Sequence, residues 1–283
     1  MKNVCVAAVQ MVSGDNVKDN LIRAKKLVAD AANRGAKLVL LPENFAHLSG
    51  TGSFSVAEHF VRDGNTCAEL HPIQYALKTW SAELGIWLVG GAQPLLERPD
   101  GNHTEGERSR SACLVYDDQG HLQARYDKMH LFDVDVADAA GRYRESATIE
   151  AGESPCVANS SWAGLGLTIC FDLRFPELYR HLAMAGAEVF LVPAAFTYTT
   201  GEAHWMTLLR ARAIENGCYI IAANQGGSHS PKRRTWGHSA IIDPWGEILA
   251  EAGEGESVIT AVLDAEKLTK VRQSMPLLSM RRL

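Results

Sequence analysis

A chain of 283 residues with 46% hydrophobic content has room for a deep core, and a net charge of −5 spread over scattered ions excludes a polyanion-binding or membrane-surface protein. The longest apolar runs, Val4 to Val12 and Leu38 to Pro42, fall well short of the roughly 20 residues of a membrane span, so neither nucleic acid nor a bilayer is an expected partner. Six dispersed cysteines with no Cys-x-x-Cys pair, and ten histidines with no His-Glu-x-x-His, argue against a disulfide framework or a metal site. Behind Met1 and Lys2 a strand-like stretch already meets Gln10, which is not the pattern of a secretory leader; the expected address is the cytoplasm.

The run Val-Cys-Val-Ala-Ala-Val-Gln predicts a first strand. After the Ser13–Gly14–Asp15 turn, apolar residues at Leu21, Ala24, Leu27, Val28 and Ala31 predict a helix over Val17 to Asn33, with Gly35 at its C-cap. Lys37 to Pro42 is a buried-type strand that delivers Glu43 at its C-terminal end. A helix over Ala68 to Leu84, a strand over Ile86 to Ala92, and a hairpin of Ser111–Asp117 with Leu122–Tyr126 follow, and Lys128 comes directly after the hairpin. Further on, a strand Leu165 to Cys170, a helix Pro176 to Ala185 and a strand Glu188 to Pro193 repeat the design of the first half. The remainder reads as a helix from about Gly201 to Gly217, then strands at Cys218–Ala223, Ser239–Asp243, Ile248–Ala250 and Ser257–Leu263. Arg98 to Arg110 and Ser228 to Arg234 read as polar surface loops, and nothing resembles a linker. The expected organisation is one α/β domain over residues 1–283.

In open α/β sheets the ligand crevice lies beyond the carboxyl ends of the strands, which singles out Glu43, Cys170 and Asp172. Alone, Glu43 would be a solvated strand-end acid. Cys170 stands at a sharp strand-to-helix passage of the nucleophile-elbow type, which projects the thiol and leaves the N–H of Phe171 free for an oxyanion. Cys5, Cys113, Cys156 and Cys218, set in or beside apolar strands, read as small buried hydrophobes.

At Leu-Val-Leu-Leu-Pro-Glu43-Asn, Tyr-Asp-Lys128-Met-His-Leu-Phe and Thr-Ile-Cys170-Phe-Asp-Leu-Arg-Phe-Pro-Glu the sequence resembles the nitrilase superfamily of carbon–nitrogen hydrolases, whose three motifs occur in this order. The likeness runs on to Gly237–Ser239 and Asp243–Glu247. It implies a four-layer αββα sandwich, a homodimer or larger homo-oligomer, and a thioester mechanism without cofactor. Cys170 is then the nucleophile, Glu43 the general base and acid, and Lys128 the charge that holds the oxyanion, with Glu145 in Gly-Arg-Tyr-Arg-Glu-Ser as a supporting acid.

Leu131–Asp133, Ala194–Phe196, Ala203–Trp205, Arg210–Glu215 and Ala222–Gln225 look most like the branch that holds deaminated glutathione amidases and ω-amidases, the last two blocks favouring the former. The implied substrate is a small amide with carboxylates, split into 2-oxoglutarate and Cys-Gly. An ω-amide such as 2-oxoglutaramate is the alternative, and a non-catalytic oligomeric interaction protein is an alternative of another class. Because Arg grips a carboxylate bidentately, Arg174 is the expected carboxylate contact unless it pairs with Asp172 or Glu177; Arg233 and Arg234 are further guanidinium groups. Phe196 and Thr200, beyond another strand end, are expected to line the pocket.

Overall fold

Short apolar runs bounded by turn residues, alternating with amphipathic helices, set the architecture. The computed structural model describes residues 1–49, 52–62, 64–138 and 141–282. Along the first half lie β1 (Val4–Gln10), α1 (Val17–Asn33), β2 (Leu38–Leu40), α2 (Pro72–Leu84), β3 (Trp87–Val89), β4 (Gln93–Leu95), β5 (Arg110–Tyr116) and β6 (Leu122–Asp127). A small hairpin of β7 (Asp133–Asp135) and β8 (Arg142–Arg144) separates them from β9 (Cys156–Asn159), β10 (Gly164–Leu167), α3 (Pro176–Met184), β11 (Val189–Ala194), α4 (Tyr198–Asn216) and β12 (Tyr219–Asn224). A second hairpin, β13 (Gly226–Ser230) with β14 (Arg233–Trp236), precedes β15 (Ala240–Ile242), β16 (Ile248–Glu251), β17 (Ser257–Leu263) and α5 (Ala265–Ser274).

One sheet has the order β17-β1-β2-β3-β5-β4, with β6 on β5; the other has β16-β15-β12-β11-β10-β9. Strands β1, β2 and β3 are parallel, as are β10, β11 and β12. Both faces of β1 are covered, which is why it reads as an unbroken apolar run. Val6 and Ala8 join the core shared with Leu165, Leu167 and Ala222 of the second sheet, whereas Ala7 and Val9 pack with Ala24 and Val28 of α1 and Leu77 and Trp80 of α2. With α3 and α4 on the outer face of the second sheet, the molecule is an αββα sandwich.

Helix α1 starts and ends where the periodicity places it, its first turn capped by Asn16 Oδ1, which accepts from Asp19 N. Other boundaries move for local reasons. Helix α2 begins at Pro72 rather than Ala68, because proline suits the first helical position. The strand expected to reach Cys170 leaves its ladder at Leu167, where Thr168 N and Oγ1 both turn to Leu191 O. The expected loop over Ser228 to Arg234 is a bulged β-hairpin, and Arg98 to Arg110 is tied down by Arg98 and Arg110 on Glu150.

Candidate active site

The polar groups gather at the carboxyl ends of the parallel strands. Beyond β2, Leu41 N still donates to Val89 O, Pro42 has no N–H to give, and Glu43 makes a single bridge to Ala92. The chain then turns through Asn44 at φ 59°. This crossing is tight: a Cβ on Gly91, itself at φ 42°, would lie 2.0 Å from Pro42 O. From the second sheet Gln225 Nε2 donates to Glu43 O at 3.1 Å and to Ser13 Oγ at 2.9 Å, and Gln10 accepts from Ser239, so buried amides latch the two sheets together at this end.

Lys128 follows β6, its N–H on Ser111 O and its carbonyl on Gly152 N. Its Nζ lies 2.8 Å from Glu43 Oε1 and 2.8 and 2.9 Å from the two oxygens of Glu145. Glu145 is oriented by Phe132 N, which donates to Oε2 at 2.7 Å. With Lys128 and Glu43 only 2% and 4% exposed, this is one ammonium between two carboxylates, two of the three groups withdrawn from water and Glu145 reaching it through 20% of its side chain.

Cys170 enters from the opposite sheet. It opens a 3₁₀ turn, Cys170–Arg174, at φ 48°, a left-handed conformation that a non-glycine residue holds only when its surroundings enforce it. Asp172 supplies that enforcement: it is fully buried and accepts from Ile169 N, Tyr126 Oη, His130 N and His130 Nδ1 at 2.7–3.1 Å. The thiol lines the same cavity as the Glu43 carboxylate and the Lys128 ammonium, close enough for both charges to act on it. Among the described residues no acceptor takes the N–H of Phe171.

Electrostatics follow from burial. Desolvation first, then the Glu43 carboxylate, push the Cys170 thiol well above its ordinary value, against the opposing pull of Lys128 and Ala195 N–H. The resting sulfur is a thiol. Burial alone would lower the Lys128 ammonium, but Glu145, Glu43 and Cys170 more than reverse this and hold it well above its usual range. Glu145 is raised by burial, less so for the presence of Lys128.

These groups share one cavity of about 560 Å³, which Phe196 and Thr200 also line, together with the ring of Phe171. Arg174, expected as the carboxylate contact, is not among the lining residues. Its guanidinium stands 5.8 and 5.4 Å from the ring centroids of Phe171 and Phe196, with both terminal nitrogens 3.3 Å from His204 Nδ1. It forms no ion pair with Asp172 or Glu177 among the described residues; the oxygens of Asp172 are already taken. Basic side chains that do line the cavity come from the two hairpins: Arg142 and Arg144 on β8, Lys232 beside β14 and Arg233 on it. Lys232 and Arg233 stand out in the sequence as part of a short basic run, too few charges for a nucleic-acid patch, and apart from their basic character Arg142 and Arg144 carry no signal there. The hairpin β13–β14 is anchored by His229, whose Nδ1–H donates to Ser13 O and whose Nε2 accepts from Thr235 Oγ1, and burial lowers its pKa to about 4.

Away from the cavity, His59, Glu97 and His103 form the one grouping among the described residues whose metal-ligand atoms lie within 4.8 Å of one another. They come from separate segments, so no local spacing announces them.

A model of the carbon–nitrogen hydrolases matches residues 5–273. A deaminated glutathione amidase of Synechocystis sp. is 43% identical over 283 residues, covering 99% of each chain. An omega-amidase of Danio rerio is 36% identical over 282 residues, covering 100% of this chain and 96% of that one. Among solved structures, Saccharomyces cerevisiae Nit3, a member of branch 10 of the nitrilase superfamily, superposes with a TM-score of 0.85 at 31% identity, covering 100% of this chain and 97% of the other.

Proposed function

Because the chain belongs to the carbon–nitrogen hydrolase family, we propose that it hydrolyses deaminated glutathione to 2-oxoglutarate and Cys-Gly through a thioester on Cys170. The observation that carries the mechanism is the convergence of Glu43, Lys128 and Cys170, far apart in sequence, on one cavity, with Lys128 Nζ 2.8 Å from Glu43 and both charges acting on the thiol. As Cys170 Sγ bonds the amide carbon, Glu43 takes the thiol proton. The carbonyl oxygen gains negative charge, which Lys128 Nζ and the N–H of Phe171 stabilise. Collapse breaks the C–N bond while Glu43 returns the proton to the departing amine. Water then gives a proton to Glu43 and attacks the thioester, and the second collapse releases the acid and restores the thiol. Glu145 shares the Lys128 ammonium and keeps it aimed. Phe196 and Thr200 line the acyl side, and Arg174 acts from behind the Phe171 and Phe196 rings as a positive charge that Cys170 senses.

The substrate follows the 43% identical relative. The omega-amidase relative supports the alternative, release of ammonia from 2-oxoglutaramate. A higher kcat/KM for deaminated glutathione than for 2-oxoglutaramate is the expected result; the reverse order replaces the first reading by the second. Intact mass spectrometry during turnover detects an acyl adduct that Cys170→Ala abolishes, and its absence together with inactivity on both amides favours a non-catalytic interaction protein. We further propose a single domain, supported by the core that both sheets share, and a reducing compartment such as the cytoplasm, supported by six free cysteines. A homo-oligomer is supported by exposed Trp245, Ile248 and Leu249 close to exposed Ile214.

A further inference from the structure

The cavity that holds the reacting groups is lined by five basic side chains and two acidic ones. Both acids, Glu43 and Glu145, are bound to Lys128. Of the four remaining cations, Arg144 is paired with Asp135 at 3.0 Å. Arg142, Lys232 and Arg233 make no side-chain ion pair or hydrogen bond among the described residues, and Arg233 Nε is buried without a partner. Their neighbours on the same hairpins behave otherwise: Arg234 grips Glu254 with 2.9 and 3.0 Å contacts. Asp138, which shares an adjacent hollow with Lys232 and Arg233, gives its oxygens to Tyr143 Oη and Gly141 N–H. The Arg233 guanidinium lies 5.8 Å from the centroid of the Tyr143 ring, so the two hairpins meet across the cavity.

A buried N–H without an acceptor is costly, and a guanidinium fork at a ligand cavity is satisfied by a carboxylate. The position of this charge decides which carboxylate. Cys170, Glu43 and Lys128 are buried, whereas Arg142 and Lys232 are exposed, so the unpaired charge stands at the mouth and the chemistry at the floor. The half of the substrate that extends toward the mouth is the half that must leave first.

Resting on the deaminated glutathione reading above, we propose that Arg233, assisted by Lys232 and Arg142, binds the terminal carboxylate of the leaving amine. The mouth thus selects peptide-like leaving groups with a free C-terminal carboxylate over the unsubstituted ω-amide, which has no such group. Truncating Arg233 removes charge-assisted bonds of the kind that contribute about 10–100-fold in affinity.

The test measures kcat and KM for three compounds: deaminated glutathione, its glycinamide analogue and 2-oxoglutaramate. In wild type the glycinamide analogue is expected to show a KM about 10–100-fold above that of the free acid. Arg233→Ala raises KM for the free acid by that factor, adds little for the analogue, and leaves kcat and KM for 2-oxoglutaramate in place, which also certifies folding. Arg233→Lys, which keeps the charge and loses the fork, falls between. Arg234→Ala on the same hairpin changes none of them. Equal weakening for all three compounds assigns Arg233 to the acyl half and overturns the proposal, as does no change for any. Wild type that cleaves 2-oxoglutaramate but not deaminated glutathione overturns the substrate reading itself and the mouth subsite with it.

Discussion

Replacing Asp172 by Asn removes a buried charge and exchanges one acceptor oxygen for a donor, in a site where four donors already converge. The least costly arrangement puts the new amide nitrogen where Oδ1 stood. His130 can then shift its proton to Nε2 and let Nδ1 accept, while Ile169 N and Tyr126 Oη keep an oxygen at 2.8 and 2.7 Å. His130 N, now 3.1 Å from a donor, is left without a partner. One orphaned donor and the loss of charge assistance on the others together cost about 2–4 kcal/mol. The turn that holds Cys170 at φ 48° is tied by these bonds, and a misplacement of about 1 Å at the sulfur is enough for a 10²-fold fall in kcat. Urea unfolding followed by circular dichroism measures the first effect and steady-state amide hydrolysis the second. A variant within about 0.5 kcal/mol of wild type with unaltered kcat would refute the claim that Asp172 holds the elbow.

Lys128→Met is expected to lower kcat by about 10²–10³-fold, and to destabilise by about 3–5 kcal/mol because two buried carboxylates lose their counterion; the destabilisation shrinks as acid protonates one of them. Gly91→Ala, whose Cβ meets Pro42 O at 2.0 Å, should cost about 2 kcal/mol or more in thermal or urea unfolding and depress kcat through Glu43. His229 has a folded pKa of about 4 against an ordinary 6.5. Its contribution is therefore complete above pH 6.5 and lost as pH falls toward 4, up to about 3 kcal/mol in all. Unfolding titrations should show this slope in wild type and its loss in His229→Asn.

Strand ends were legible because a fully buried strand is a continuous apolar run, and the first polar residue after it is placed by that run alone; Glu43 could be located in this way and Cys170 to within a short turn. What local pattern cannot carry is distance in three dimensions. Lys128 meets Glu43 across 85 positions and Glu145 across 17, and only the motif likeness brought them together. The hairpins β7–β8 and β13–β14 stayed hidden since neither lays one face on a core, so no period-two apolar signal exists to read. Arg174 stands outside the cavity lining for a geometric reason. Four residues on, an α-helix returns nearly to the same face, but the turn here is 3₁₀, with about three residues per turn, which swings the fourth side chain about 120° aside.

The proposed base and nucleophile hang from different sheets, Glu43 from one and Cys170 from the other. They face each other across one cavity like the jaws of a caliper, and the thickness of the layer between the sheets sets the gap. Enlarging Ala8 or Ala222, buried in that layer far along the chain from either reacting group, acts on the rate by spreading the jaws. Activity should accordingly fade under mild denaturant, as the sheets loosen, before the helices melt.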